Sequence, residues 1–240
     1  MKKIQKAIVY LKMTFVFFLM TGCSQETNNN CSAFKKKYPD ALRAVSGKAD
    51  TTFLIRTLTD IITNDSFCID PYLTRGDLFW YLDSTEQAKA DYLKAISLSR
   101  NNVYAQYRMG LVYYYDDKFD SAIYYFQQAI DNKTHNGAVV DYPGYRERIG
   151  SDENKYDIPY VEIIYKQGIS YYYKGAFKEA RQNFSFCIER YYMLSDSYLY
   201  RGAILLEIND KKSACQDFEN AKKNGNKLAN EYLEKYCSQE

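Results

Sequence analysis

The chain has 240 residues, 46% of them hydrophobic, with 26 tyrosines, one tryptophan and only four prolines. That length suits one compact domain or a short repeat array, and so many aromatics exclude a largely disordered chain. The formal charge is +2, but Lys2, Lys3, Lys6 and Lys12 lie in a segment read below as a removed leader, which leaves about −2 with no basic stripe of the kind a nucleic-acid partner needs.

Residues 1–22 read as a secretory signal. Met1 to Lys6 is basic, and Met13 to Met20 is an apolar run too short to span a membrane, which takes about 20 apolar residues. The run ends in Leu19-Met20-Thr21-Gly22-Cys23. This resembles a bacterial lipobox, which implies lipidation of Cys23 and, with Ser24 following, a lipid-anchored envelope protein of the outer membrane. An ordinary cleaved signal and an uncleaved anchor are the alternatives. Residues 23–50 begin with the polar stretch Ser24 to Asn30 and form a tether and N-terminal segment.

Further along, one pattern returns. Gly76, Gly110, Gly168 and Gly202 are separated by 34, 58 and 34 residues. Twelve residues after each stands an alanine (Ala88, Ala122, Ala180, Ala214). Four further on stands an aromatic (Tyr92, Phe126, Phe184, Phe218), and three beyond that a small residue (Ala95, Ala129, Cys187, Ala221). The longer interval is one period plus an insertion of 24. A helical glycine costs about 1 kcal/mol relative to alanine, so a recurring one marks a close helix crossing. The alanine of the second helix is expected to meet that gap. The aromatic, on the same helical face, is expected to fill the space between units.

This pattern resembles the tetratricopeptide repeat. The resemblance implies an all-α fold, a right-handed superhelix of antiparallel helix pairs. In chain order, residues 51–68 are a degenerate half-repeat, with Leu54, Leu58 and Ile61 at the signature places. Residues 69–136 hold repeats one and two, 137–160 an insertion loop, and 161–228 repeats three and four. Residues 229–240 form a C-terminal capping helix and tail that shields the last core face. Asp83-Ser84-Thr85, Asp116-Asp117-Lys118, Lys174-Gly175 and Asn209-Asp210 are the turns inside the repeats. The insertion, rich in glycine and proline, is either functional or a tolerated surface loop.

Of six cysteines, Cys187 takes a buried small-residue place. Cys215 and Cys237 flank the Asn224-Gly225-Asn226 turn at about equal distance, so antiparallel helices bring them side by side and an oxidising envelope allows a disulfide. Cys31 and Cys68 can pair likewise. No metal-ligand spacing and no cofactor motif is present, and a single histidine, His135, leaves no Ser-His-Asp or Cys-His arrangement. No enzymatic activity is expected.

In the tetratricopeptide-repeat family the first helices line a concave groove. Register carries that surface onto Trp80, Tyr81, Tyr104, Tyr107, Arg108, Tyr114, Tyr115, Tyr165, Lys166, Tyr172, Tyr173 and Tyr200. A groove rich in tyrosine suits an extended peptide or protein partner, since tyrosine offers large contact area at small entropic cost. The other reading is a ligand-capture lipoprotein whose aromatic faces serve as platforms for a glycan.

Overall fold

The computed structural model describes residues 51–135 and 156–238. The signal at 1–22, Cys23, the tether, Cys31 and most of the insertion lie outside the described residues. The helices are α1 (Thr51–Asn64), α2 (Ile69–Tyr81), α3 (Thr85–Leu98), α4 (Val103–Tyr115), α5 (Phe119–His135), α6 (Tyr160–Lys174), α7 (Phe177–Glu189), α8 (Leu194–Glu207), α9 (Lys211–Lys223) and α10 (Leu228–Tyr232), the last running on as a π turn, Leu233–Cys237. No strand occurs among the described residues. The fold is all-α, as expected.

The described chain forms two compact units. One holds residues 51–115 with 156 and 157, the other 116–135 with 158–238. In the first, α1 packs on α2, α2 on α3 and α3 on α4. In the second, each helix from α5 to α9 packs on the next, and α10 with its π turn closes on α9.

The signature residues are the core. Ala88, Ala122, Ala180 and Ala214 are sealed from solvent, as are Tyr92, Phe126, Phe184 and Phe218 and the small residues Ala95, Ala129, Cys187 and Ala221. The glycines have a nearer partner than the one expected. A Cβ on Gly76 would lie 2.8 Å from Tyr92 Cε1, and one on Gly202 2.6 Å from Phe218 Cε1. One on Gly168 would lie 3.0 Å from Asn183 Cβ and 3.4 Å from Phe184 Cε1. In these three repeats the aromatic sixteen residues after the glycine lies against it within the helix pair. The ring also reaches the next repeat, as where Phe184 stacks on Tyr200 at 5.0 Å, and at Gly202 the Ala214 carbonyl oxygen meets the gap beside the ring at 3.2 Å. The ring edge reaches the bare backbone because it extends further than an alanine methyl, which leaves the alanine to contribute its main chain at Gly202.

The turns keep the same beat. Asp83, Asp117, Gly175 and Asn209 all have positive φ, at 57°, 60°, 83° and 62°, and their spacing repeats that of the four glycines. Each stands just after a first helix and reverses the chain in the left-handed conformation that ends many helices. At three of them the next amide donates back five residues, Ser84 N to Phe79 O at 2.8 Å, Ala176 N to Tyr171 O at 2.9 Å and Asp210 N to Leu205 O at 2.8 Å. The helix's last carbonyls are thereby satisfied.

A polar clasp repeats with the same register. Arg75 on α2 holds Asp91 on α3 through Nε (2.8 Å) and Nη2 (2.7 Å), while its Nη1 donates back to Thr59 Oγ1 on α1 at 2.9 Å. Arg201 on α8 holds Asp217 on α9 at 2.7 and 2.9 Å, and its Nη1 donates back to Ser185 Oγ on α7 at 3.1 Å. Between them, Gln167 on α6 accepts from Asn183 on α7 at 3.1 Å and donates to Gln127 Oε1 on α5 at 3.0 Å. Each clasp joins a hairpin to the helix before it. The paired aspartates are buried, and bidentate arginine is what makes burying a carboxylate tolerable.

At the C-terminal end Gly225, at φ 88°, turns the chain into α10. Leu233 joins Leu205, Ala214 and Phe218 in one apolar cluster, with Tyr232 and Cys237 packed against it. Cys237 is disulfide-bonded to Cys215, with a Cα–Cα distance of 5.8 Å.

Candidate functional site

In the first unit the site is built outward from Tyr92. Repeat one carries tyrosine where the other three carry phenylalanine, so a hydroxyl enters the core and needs a partner. Asp77, one residue after Gly76, supplies it: Tyr92 Oη donates to Asp77 Oδ1 at 2.7 Å. The matching places in the other repeats are Leu111, Ile169 and Ala203, which have no hydroxyl to serve. Asp77 also accepts from Tyr104 Oη at 2.6 Å and lies 2.9 Å from Arg108 Nε, which in turn reaches Tyr92 Oη at 3.0 Å.

This is a closed buried network. The Arg108 guanidinium lies 5.9 Å from the Trp80 ring centroid, 5.5 Å from that of Tyr92 and 5.9 Å from that of Tyr104. Burial opposes its charge, but the Asp77 carboxylate outweighs that and holds its pKa well above the ordinary arginine value. Burial likewise pushes the Tyr92 phenol well up, and the neighbouring Asp77 adds to it. Arg108 therefore ties two repeats together and is no open cationic arm, although its Nη2 is buried without a hydrogen-bond partner.

Around this network the aromatics differ in access. Trp80, Tyr107 and Tyr114 are buried, Tyr104 and Tyr115 are half-buried, and Tyr81 is 53% exposed. Trp80 and Tyr115 meet at 5.5 Å and Tyr114 and Tyr115 at 5.1 Å. A further aromatic joins them from the end of the insertion. The Tyr156 hydroxyl lies 2.7 Å from Thr74 Oγ1 and donates to the Asp70 carbonyl at 3.3 Å, with its ring edge-on to Tyr104 at 4.8 Å.

In the second unit the corresponding side chains form ring contacts with one another. Tyr172 meets Tyr200 at 5.2 Å and Tyr173 at 5.5 Å, Tyr200 stacks on Phe184 at 5.0 Å, and Tyr173 stacks on Phe119 at 5.5 Å. Tyr172, Tyr173 and Tyr200 are half-buried. Tyr165 is buried and donates to Asp196 Oδ2 at 3.3 Å, and Lys166 Nζ lies 5.7 Å from its ring centroid. Among the described residues no group of three or more His, Cys, Asp or Glu is placed to hold a metal ion, and no helix is long and apolar enough to cross a membrane. The His135 side chain lies outside the described residues.

Comparison with known proteins bears on this architecture. Residues 73–136 match the family model described as tetratricopeptide repeat. The solved structure of YrrB, described as a TPR protein with an unusual peptide-binding site, superposes with a TM-score of 0.63 at 15% identity, covering 86% of this chain and 98% of that one.

The chain has the tetratricopeptide-repeat fold.

MamA superposes on this fold with a TM-score of 0.62 at 18% identity, over 85% of this chain and 96% of MamA. PilF of Pseudomonas aeruginosa gives a TM-score of 0.59 at 14% identity, over 82% and 79% of the two chains. No curated protein sequence matches. Within the tetratricopeptide-repeat frame, register finds the aromatic positions but not how they are used. Asp77 stands on the first helix of repeat one, three residues before Trp80. The signal that it is committed to the core was available, in the single tyrosine among four signature aromatics. Tyr156 carries no such signal, because it lies in an insertion that has no period.

Proposed function

We propose that this chain is a protein-interaction module of the bacterial cell envelope, lipid-anchored through Cys23, whose repeats hold an extended peptide or exposed protein segment. The observation that carries this reading is the composition of the first-helix surface. On the first helices of repeats one and two Tyr81 is exposed and Tyr104 and Tyr115 are half-buried, with Tyr104 held by the Asp77–Arg108 network and Tyr115 packed on Trp80. Rigid aromatic side chains on a rigid scaffold bind with little ordering cost. The likeness in fold to YrrB, described as having a peptide-binding site, supports the same reading. The leader and lipobox support the anchor, and the scarcity of histidine and of clustered metal ligands supports a role without catalysis.

The test is partner capture in the envelope. Chemical cross-linking of the anchored protein should recover a discrete neighbour, and Tyr81→Ala combined with Tyr115→Ala should abolish recovery while helicity is kept. Unchanged recovery would remove the groove from the proposal. Cys23→Ser should release the protein from the membrane fraction, and continued membrane residence would remove the anchor.

A further inference from the structure

We propose that the notch between α2 and α4 is a recognition site for a tyrosine side chain of an extended peptide, and that Tyr156 of the chain itself occupies it as a stand-in. The inference rests on the reading that the first helices hold a peptide, and it names one side chain that they read.

The recognising groups are specific to a phenol. Thr74 is almost wholly buried, and its hydroxyl meets the Tyr156 hydroxyl at 2.7 Å. The Asp70 main-chain carbonyl takes a hydrogen bond from the same hydroxyl at 3.3 Å. The Tyr104 ring stands edge-on to the incoming ring with centroids 4.8 Å apart, the geometry favoured by aromatic quadrupoles, and Tyr104 is itself held by its hydrogen bond to Asp77. One wall thus fixes the ring and another the hydroxyl. Phenylalanine would leave Thr74 and the carbonyl without this partner, and a longer aliphatic chain would have neither contact.

The occupant resembles a ligand more than a part of the scaffold. Tyr156 comes from the far side of an insertion, 82 residues from Thr74 in sequence. Asp157 and Ile158 carry no regular secondary structure before Pro159 caps α6, so Tyr156 is presented from outside any helix. The Tyr156 side chain therefore lies in the notch as the anchor residue of a short linear motif would. Burial pushes the Tyr156 phenol well above its ordinary range, as expected of a hydroxyl removed from water. A tethered occupant competes with any free peptide at high effective concentration, so the intact chain should bind such a peptide weakly until Tyr156 leaves.

The experiment uses the full chain and a labelled synthetic peptide of residues 153–159, Glu-Asn-Lys-Tyr-Asp-Ile-Pro, beside the same peptide with alanine for tyrosine. Tyr156→Ala should bind the tyrosine peptide about tenfold or more tightly than the natural chain does, and the alanine peptide should lose that gain. Equal affinity of the two chains for the tyrosine peptide overturns the inference, as does equal binding of the two peptides. If far-UV circular dichroism shows that Tyr156→Ala does not fold, Tyr156→Phe is read instead. It keeps the ring and lacks the hydroxyl, so it should bind the tyrosine peptide more tightly than the natural chain, and equality overturns the inference. Loss of partner capture in the envelope with this peptide result intact would count against the proposed function and leave the notch standing.

Discussion

Arg201 grips Asp217 through two hydrogen bonds of 2.7 and 2.9 Å, and the aspartate they secure is 3% exposed. Asp217 stands directly before the core ring Phe218, so the carboxylate enters the hairpin because the repeat register takes it there. Removing the arginine strands a buried charge. Arg201→Ala should destabilise the fold by about 3–5 kcal/mol. Pairing Arg201→Met with Asp217→Leu should recover most of that loss, because both polar groups then leave together. Urea denaturation of the single and double variants measures the difference, and a double variant as weak as Arg201→Ala would show that the clasp is not the source of the stability.

The three described glycine crossings predict a ranking. Alanine in a helix gains about 1 kcal/mol over glycine. At Gly202 the added methyl would stand 2.6 Å from Phe218 Cε1 and 3.2 Å from the Ala214 carbonyl oxygen, so ring and backbone both resist. Overpacking of this kind costs about 1–3 kcal/mol, and Gly202→Ala should be net destabilising. At Gly168 the nearest atoms are at 3.0 and 3.4 Å, so Gly168→Ala should be close to neutral. Thermal melts of the two variants should separate in that order. Adding Phe218→Leu to Gly202→Ala should return part of the loss.

The last helix is predicted to depend on its covalent latch. Cys215 and Cys237 are 22 residues apart, and closing a loop of that length is worth about 3 kcal/mol in the chain-entropy account. Cys237→Ser leaves the disulfide-bonded Cys68 untouched and should lower stability by about that amount. Amide hydrogen exchange should accelerate first over residues 228–237. Uniform acceleration across both units would contradict a local role.

Alkaline pH should weaken the fold. Burial raises the Cys187 thiol from 9.0 to about 12, and burial also raises the Tyr92 and Tyr165 phenols. These groups hold their protons more tightly folded than unfolded, so above about pH 9 the unfolded chain ionises first and gains. Their contribution is fully present below about pH 9 and drains away as pH rises toward 12. Urea midpoints at pH 7 and pH 10.5 should show the loss. At pH 8 Cys187 should resist a thiol reagent until the protein unfolds.

Much of this architecture was legible in the sequence because its information is periodic. Glycine, alanine, aromatic and small residue recur at one interval, and all twelve buried residues that follow the glycines are where that interval puts them. The turn residues obey the same interval, and Cys215 and Cys237 were legible from their symmetry about Gly225. What escaped was pairing. The clasp at a sixteen-residue offset uses two chemistries, arginine with aspartate and glutamine with asparagine, so it leaves no repeated letter to notice. Tyr114 and Tyr165 sit in register with groove residues yet are buried, because burial of a first-helix face depends on what the neighbouring helix brings against it. The docking of Tyr156 on Thr74 and Asp70 is non-local and unrepeated, and only a structure reveals it.

The backward bond of each clasp also works as a compatibility rule between neighbours. An arginine hairpin wants a hydroxyl behind it, and finds Thr59 or Ser185. The glutamine hairpin wants an amide, and finds Gln127. The hairpins are therefore not interchangeable bricks. Exchanging an arginine hairpin for the glutamine one would put a donor before a partner of the wrong kind, so the chain carries a written sequence of joints, and duplication of one hairpin would succeed only beside a neighbour that speaks the same chemistry.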